Sequence, residues 1–356
     1  MKFEWIDFYS EFATKLLLFK NDRKALIERI NDVYTAINMQ VPKLESGGDI
    51  IDIDPFTIFG LFNKGITNSN RIAIIRSIAN VFGIEAKVPN NFDGIPVLNN
   101  LKATFYAFKE DRKADDIDNI WNVFEAALRL ADNDTEQNRK EFSKWYDLVH
   151  DQRCIRWNIT MGLYWIRPYT YINLDSRNRW YISNVENMPA EFVNSIKKKI
   201  NKVPNATDYL FIKDACIKAL EVGSYEYKNY PELSYSAWIV SEQVNRQKAA
   251  ANGKKLSNAA FLRWFKPLIQ ALRDLGGSGT PAEARAKIVE NEQLSDEEVN
   301  AIRGKNNVNK FENEVAFARS YLVNAGYIDK SIYGVWTLTE AGKSVEMTDD
   351  MAFYIF

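Results

Sequence analysis

Histidine and cysteine are almost absent from this 356-residue chain, which has one histidine, His150, and two cysteines, Cys154 and Cys216. No His/Cys metal cluster can be assembled from that stock. Two separated cysteines build no disulfide framework, and a reducing cytoplasm is the expected location. Imidazole-based catalysis would have to run through His150, which closes a helix-like stretch over 141–149. Proline (10) and glycine (16) are scarce as well, which excludes a low-complexity or collagen-like chain. No apolar run approaches the roughly 20 residues needed to cross a bilayer. The opening Met1-Lys2-Phe3-Glu4-Trp5 leads into an amphipathic pattern with acidic residues, unlike a signal peptide. What remains is 46% hydrophobic and 13% aromatic, enough apolar surface for a packed core and enough length for two or three domains.

The net charge of −1 conceals an uneven distribution. Residues 1–150 carry 19 Lys/Arg against 23 Asp/Glu, residues 151–258 carry 16 against 10, and residues 259–345 balance at 11 and 11. An anionic partner is therefore expected to meet the basic middle.

Apolar residues in the first 150 positions recur at three- and four-residue steps, the signature of successive amphipathic helices. Trp5, Phe8, Tyr9, Phe12, Leu16 and Phe19 form one stripe, and Leu26, Ile27, Ile30, Val33, Tyr34 and Ile37 a second. Asp54-Pro55 reads as a capping acid with proline at the first helical position. A helix over 71–82 should stop at Gly83, Phe92-Asp93-Gly94-Ile95-Pro96 should turn, and 115–131 should be helical. The texture changes over 153–182, where three Trp and four Tyr lie among five Arg. There, 161–166 suits a buried helical turn or a strand, Pro168 breaks it, and 169–174 alternates like a short strand. Helices follow over 190–201, with Lys197-Lys198-Lys199, and over 208–220.

Residues 241–258 have almost no large apolar side chains after Val244 and read as a linker or an exposed helix end. Beyond them, 261–275 is an amphipathic helix closed by Gly276-Gly277, Thr280-Pro281 caps a second helix, and Ser295 with Glu298 forms a capping box for a third. A fourth covers 310–325, with Phe311, Val315, Ala318, Tyr321 and Leu322 inward, and stops at Gly326. Tyr327-Ile328, a turn at Tyr333-Gly334 and Val335-Trp336-Thr337-Leu338 make a hairpin, and Thr339 caps a short last helix. The expected fold is mainly α: a multi-helical domain over 1–240, in one piece or as lobes 1–150 and 151–240, then a small α+β winged helix-turn-helix over 259–346. The apolar, helix-like run at 347–356 predicts a continuation of the chain.

Pro267, Leu272-Arg273-Asp274-Leu275-Gly276-Gly277, Asn313-Glu314-Val315-Ala316-Phe317-Ala318-Arg319-Ser320-Tyr321-Leu322, Ala325-Gly326 and Gly334-Val335-Trp336-Thr337-Leu338-Thr339 resemble the N-terminal winged-helix domain of Mrr-type restriction proteins over roughly 261–345. Upstream, Asp52-Ile53-Asp54-Pro55-Phe56-Thr57, Phe92-Asp93-Gly94-Ile95-Pro96-Val97-Leu98-Asn99 and Tyr171-Ile172-Asn173-Leu174-Asp175-Ser176-Arg177 resemble the N-terminal region of bacterial McrB-like AAA+ restriction proteins. The resemblance implies domains that select double-stranded, often modified, DNA in phage defence (type IV restriction). It also implies a nucleotide-driven motor and a separate nuclease subunit as partners. The motor is missing from this sequence, and no cofactor is expected.

Three motifs have the outline of chemistry. Gly342-Lys343-Ser344 looks like the end of a phosphate loop, but the glycine required five positions before Gly342 is Thr337. Asp54 with Glu85-Ala86-Lys87 has the acids and lysine of a restriction nuclease but no predicted sheet to hold them. Asp175 before Ser176-Arg177 resembles the catalytic aspartate loop of helix-hairpin-helix DNA glycosylases, without the hairpin motif.

For recognition, Arg167, Arg177 and Arg179 lie among aromatics that can stack bases while guanidinium groups hold phosphates. The opposing expectation makes Trp157, Trp165 and Trp180 core residues, with the arginines salt-bridged. In the winged helix, Arg303, Lys305, Asn306, Asn307, Asn309, Lys310 and Asn313 precede or open the long helix, where recognition helices contact bases. Lys330 and Tyr333 fall on the wing. The expectation is a non-catalytic DNA-targeting module. The alternatives are a protein-docking winged helix and a nucleobase-acting enzyme whose acid is Asp175.

Overall fold

The computed structural model describes residues 3–46, 49–99, 103–223, 225, 227–251, 260–303, 308–329, 331–332 and 334–355. Helices make up 59% of the chain and strands 3%, so the fold is mainly α with a small sheet near the C-terminus. The chain divides into two compact units, Met1–Val244 and Asn245–Phe356.

The first unit contains α1 (Trp5–Leu17), α2 (Arg23–Thr35), α3 (Pro55–Gly60), α4 (Asn68–Phe82), α5 (Asp116–Asp132), α6 (Glu136–Val149), α7 (Asn158–Ile166), α8 (Ser176–Ile182), α9 (Ala190–Ile196) and α10 (Ala206–Val222). It also holds most of α11 (Tyr230–Ala251). Its starts follow the capping chemistry of the sequence. Asp22, Thr67, Thr135, Asp175 and Asn205 each accept a hydrogen bond from a backbone N–H two or three residues into the helix. Gly83 ends α4 at φ +64, in the left-handed region.

One continuous core runs from Phe3 to Ala237, so residues on either side of position 150 share it. The α1 stripe of Trp5, Phe8, Tyr9, Phe12 and Leu16 is wholly buried. The central helix α7 is buried at every position from Ile159 to Ile166, which explains why its sequence carries no polar face. Gly162 lets α7 press onto Phe56, whose ring would lie 2.6 Å from an added Cβ.

Two expectations are corrected. Residues 169–174 form turns and irregular chain instead of a strand. A strand needs a neighbour, and here side chains take the partner's place. Thr160 Oγ1 accepts from the Leu174 N–H at 3.1 Å, and the Tyr209 hydroxyl donates to the Ile172 carbonyl at 3.0 Å. The helix expected over 190–201 ends at Ile196, and Lys197-Lys198-Lys199 continues as turns, with Lys199 paired to Asp208. Three adjacent like charges gain more by fanning into solvent and toward Asp208 than by sharing one helical turn.

After the end of α11, the second unit has a 3-10 turn (Ala260–Trp264) leading into α12 (Phe265–Asp274), followed by β1 (Ser278–Gly279), α13 (Pro281–Glu292) and α14 (Asp296–Val299). A short ladder of β2 (Ile302–Arg303) and β3 (Val308–Asn309) precedes α15 (Lys310–Asn324). Then come β4 (Ile328–Asp329), β5 (Trp336–Leu338), α16 (Glu340–Ser344) and α17 (Asp349–Ile355). The antiparallel sheet has the order β1-β5-β4, with Gly279 opposite Trp336 and Ile328 opposite Leu338. Helices α12, α13, α14 and α15, with β1 between the first two and a two-stranded wing of β4 and β5 after α15, describe a winged helix-turn-helix. Thr280 caps α13 and Ser295 with Glu298 forms a capping box at α14, as the sequence predicts, and Glu283 turns the Thr280 cap into a second box that was not foreseen. Phe311, Val315, Ala318 and Leu322 of α15 are buried against α12, while Met347 and Ala352 complete the same core.

Candidate nucleic-acid interface

In the winged helix, α15 starts at a cap made by Asn309. Its side chain accepts from the Glu312 N–H at 2.9 Å and donates to the Val299 carbonyl at 2.7 Å. Asn309 is therefore engaged in fixing the helix start, while the next residue, Lys310, is exposed. Asn313, one turn on, is half-buried, and its backbone position places it on the same end of α15. Glu312 is held by Arg285 at 3.4 Å. Buried Glu314 accepts from Trp264 Nε1 at 2.9 Å, which anchors the inner side of the helix. Arg303 closes β2. Lys305, Asn306, Asn307, Lys330 and Tyr333 lie outside the described residues.

The three arginines proposed from the aromatic stretch separate. Arg167 caps the end of α7 and ties it to α1, donating to the Ser10 carbonyl at 3.1 Å and to Thr14 Oγ1 at 3.2 Å. Arg177 pairs with Glu242 at 2.5 Å. Arg179 lies 3.7 Å over the ring of Trp157 and donates to the Leu174 carbonyl at 2.8 Å. Burial lowers the Arg179 pKa from its ordinary value. Trp165 is a core residue, while Trp157 and Trp180 are half-buried.

Arg177 and Arg179 line a cavity of about 510 Å³ in the first unit. One wall is the loop from Phe92 to Val97, another the start of α7 with Trp157 and Asn158. Asp175 and the first turn of α8 form the third, and Ser234 and Trp238 of α11 the fourth.

The Phe92–Val97 loop is pinned by aromatic donors. Trp5 Nε1 donates to the Asp93 carbonyl at 3.0 Å, the Tyr164 hydroxyl to Gly94 at 3.2 Å, and Trp165 Nε1 to Pro96 at 3.0 Å. Ser234 adds a fourth bond, to Gly94 at 3.0 Å. Gly94 has φ +74, and an added Cβ would stand 3.2 Å from the Pro231 carbonyl, so this turn requires glycine. Arg71 covers the Phe92 ring at 4.9 Å.

Asp175 uses Oδ1 to accept from the Asn178 N–H at 2.8 Å and from Asn178 Nδ2 at 3.1 Å. Among the described residues its Oδ2 accepts no hydrogen bond, and neither Arg177 nor Arg179 forms an ion pair with it. Two segments quoted for their family resemblance, 92–97 and 175–177, thus meet in one cavity. Phe92, Asn158, Ser234 and Trp238 were not foreseen as its lining. The first sits in a predicted turn, and the other three lie in stretches with no predicted element.

The remaining motifs fold as structure. Gly342 lies in α16, where an added Cβ would stand 2.0 Å from the Tyr327 carbonyl, so close packing accounts for the glycine before Lys343. Asp54 is fully buried, and its carboxylate accepts from Phe56 N, Thr57 N and Thr57 Oγ1. The Glu85 and Ala86 amides are held by Glu11 at 2.9 and 2.8 Å, and Lys87 faces Glu4 at 3.7 Å. His150 stacks on Tyr146 and its Nδ1 meets the Asp147 carbonyl at 3.1 Å. Among the described residues no group of three His, Cys, Asp or Glu could hold a metal ion. No helix there is long and apolar enough to cross a membrane.

Residues 5–240, about two thirds of the chain, match a family described as Domain of unknown function (DUF8425). The chain belongs to the DUF8425 family. Residues 261–347 match the Mrr N-terminal domain, the segment that folds as the winged helix. No curated protein and no solved structure matches the chain. The cavity with Asp175 lies within the DUF8425 region, and α15 within the Mrr N-terminal domain.

Proposed function

We propose that this DUF8425 chain is the DNA-recognition part of a modification-dependent restriction system, with α15 of its winged helix read into the major groove of double-stranded DNA. The observation that carries this reading is the exposed Lys310 at the N-terminal turn of α15, the helix before the wing in an Mrr N-terminal domain. Recognition helices of this architecture contact bases through that turn. Lys310 meets a phosphate or a guanine edge, and Asn313 suits the donor–acceptor edge of adenine. The chain's role is targeting without bond cleavage, which falls to a nuclease subunit, with a nucleotide-driven motor as a further partner. This agrees with the resemblance to McrB-like restriction proteins.

One observation favours a second reading. Ile302 and Phe317, 64% and 52% exposed, lie just before and on α15, in a domain whose charges balance. Such a surface suits a protein partner.

Fluorescence anisotropy separates the two readings. The chain is titrated with a duplex of about 20 bp, unmodified or cytosine-methylated, at ~50 and ~200 mM salt. Affinity falling at least about tenfold across that range marks phosphate contacts. Lys310→Ala should lower the salt slope by about one, and Asn313→Ala should cost affinity on selected sequences. Tighter binding to the methylated duplex supports the modification-dependent role. No binding to either duplex overturns the DNA reading in favour of protein docking.

A further inference from the structure

We infer that the cavity of the DUF8425 region is a nucleobase pocket, taking a single base with its sugar-phosphate left at the rim. Its volume of about 510 Å³ lies within the roughly 300–1,000 Å³ range of small-molecule sites. Three aromatic residues line it, Phe92, Trp157 and Trp238. The Arg179 guanidinium lies 3.7 Å over Trp157 in a cation–π contact on the same lining. Planar π-systems are held on such surfaces with little regard to which base they belong to.

The polar groups divide the ligand into a head and a tail. The Asp175 carboxylate is committed on one oxygen to Asn178 and, among the described residues, accepts nothing on the other. It repels an anion but accepts from a ring N–H or an exocyclic amino group. Arg177, 41% exposed, pairs among the described residues with Glu242 on a solvated rim, where a phosphate can compete for it at small cost. A neutral, flat head with N–H donors and an anionic tail is a nucleotide. The cavity walls also stand ready: the Phe92–Val97 loop is fixed by four side-chain donors before any ligand arrives.

The nucleotide is either free or a base extruded from DNA, and the second source rests on the duplex-binding reading above. Calorimetry on the full chain with dAMP, dCMP, dGMP and dTMP, beside deoxyribose 5-phosphate, tests the pocket without duplex DNA. At least one mononucleotide should bind, and the sugar phosphate should not. Asp175→Asn keeps a good helix cap but replaces the accepting Oδ2 with an amide donor, and should weaken binding about tenfold. Trp157→Ala should weaken it by a similar factor. Both variants are checked for native near-ultraviolet circular dichroism.

A duplex carrying 2-aminopurine at a mismatch tests extrusion. A fluorescence change on binding, reduced by Trp157→Ala, assigns the pocket to an extruded base. Mononucleotide binding without that change assigns it to a free nucleotide. The Lys310→Ala/Asn313→Ala variant should lose duplex affinity yet bind mononucleotides as before, since every lining residue lies in the first unit. The inference is overturned if no mononucleotide binds and 2-aminopurine stays silent, even where duplex anisotropy persists. Equal binding of deoxyribose 5-phosphate, or indifference to both pocket variants, overturns it as well.

Discussion

The DUF8425 region and the Mrr N-terminal domain satisfy their backbones in contrasting ways. In the winged helix the partners are local. Thr280, Ser295, Asn309 and Thr339 each accept from an N–H three residues on, and the wing pairs with strands of its own sheet. In the DUF8425 region the irregular segments are held from afar by the polar tips of buried aromatics. Trp121 Nε1 donates to Ile53, the Tyr209 hydroxyl to Ile172, and Trp165 Nε1 to Pro96. An aromatic ring contributes core volume and, through one N–H or O–H, a partner for a buried carbonyl. A domain with long non-helical stretches and no sheet among its described residues uses tryptophan and tyrosine as another uses strands.

The largest expected effect breaks this contrast at its aromatic end. Trp165→Ala should destabilise the DUF8425 region by about 3–5 kcal/mol through lost burial and the cavity left behind. Trp165→Phe should cost about 1–3 kcal/mol, because the ring stays while the Pro96 carbonyl loses its donor. Hydrogen exchange read by mass spectrometry should show faster exchange across the Phe92–Val97 loop and unchanged protection in Lys310–Asn324. Loss of protection in α15 as well would show that the two units unfold together.

A second test uses pH. Burial pushes the Asp54 carboxyl from its ordinary 3.8 up to about 6, against the hydrogen bonds of the α3 cap, which pull it down. A carboxyl raised in the folded state stabilises fully below its unfolded value, and that contribution is lost as pH rises through the folded value. Asp54→Asn keeps a neutral cap at all pH. Its stability relative to the parent should therefore improve between pH 4 and pH 7, by on the order of 3 kcal/mol. Urea denaturation at each pH measures the difference, and a flat difference would contradict the assignment.

The smallest effect sharpens the local end. Thr280→Ala removes one capping box and should cost about 1 kcal/mol, read as faster exchange at the start of α13 alone. A loss of several kcal/mol would mean that the winged helix, too, depends on contacts beyond its caps.

This contrast explains what could be read from residues alone. Caps, glycine stops and the inward stripe of Phe311, Val315, Ala318 and Leu322 are written within a few positions of each other, so α13, α14 and α15 were legible. Strand β1, two residues long at Ser278–Gly279, carries no alternation and was missed. The false strand at 169–174 arose because Tyr171, Ile172 and Leu174 do face the core, yet the Ile172 carbonyl and the Leu174 N–H are met by the side chains of Tyr209 and Thr160 instead of a neighbouring strand. The cavity was legible only in pieces. Arg177, Arg179 and Asp175 stood out by composition, but nothing near Trp238 announces that α11 faces Phe92 across an open space. Convergence of segments more than a hundred positions apart is a property of packing, which local periodicity does not record.

The donors that pin the Phe92–Val97 loop come from residues that are themselves core: Trp5, Tyr164 and Trp165 are fully buried. Stability and the proposed base recognition thereby depend on the same side chains. A random-mutagenesis screen for lost mononucleotide binding should return substitutions at these interior positions beside those in the cavity lining, and many would still yield folded protein. Phenotype alone would misfile them as folding defects. Their signature is a loop out of register by an ångström in an otherwise sound domain, and suppressors should arise in the loop itself.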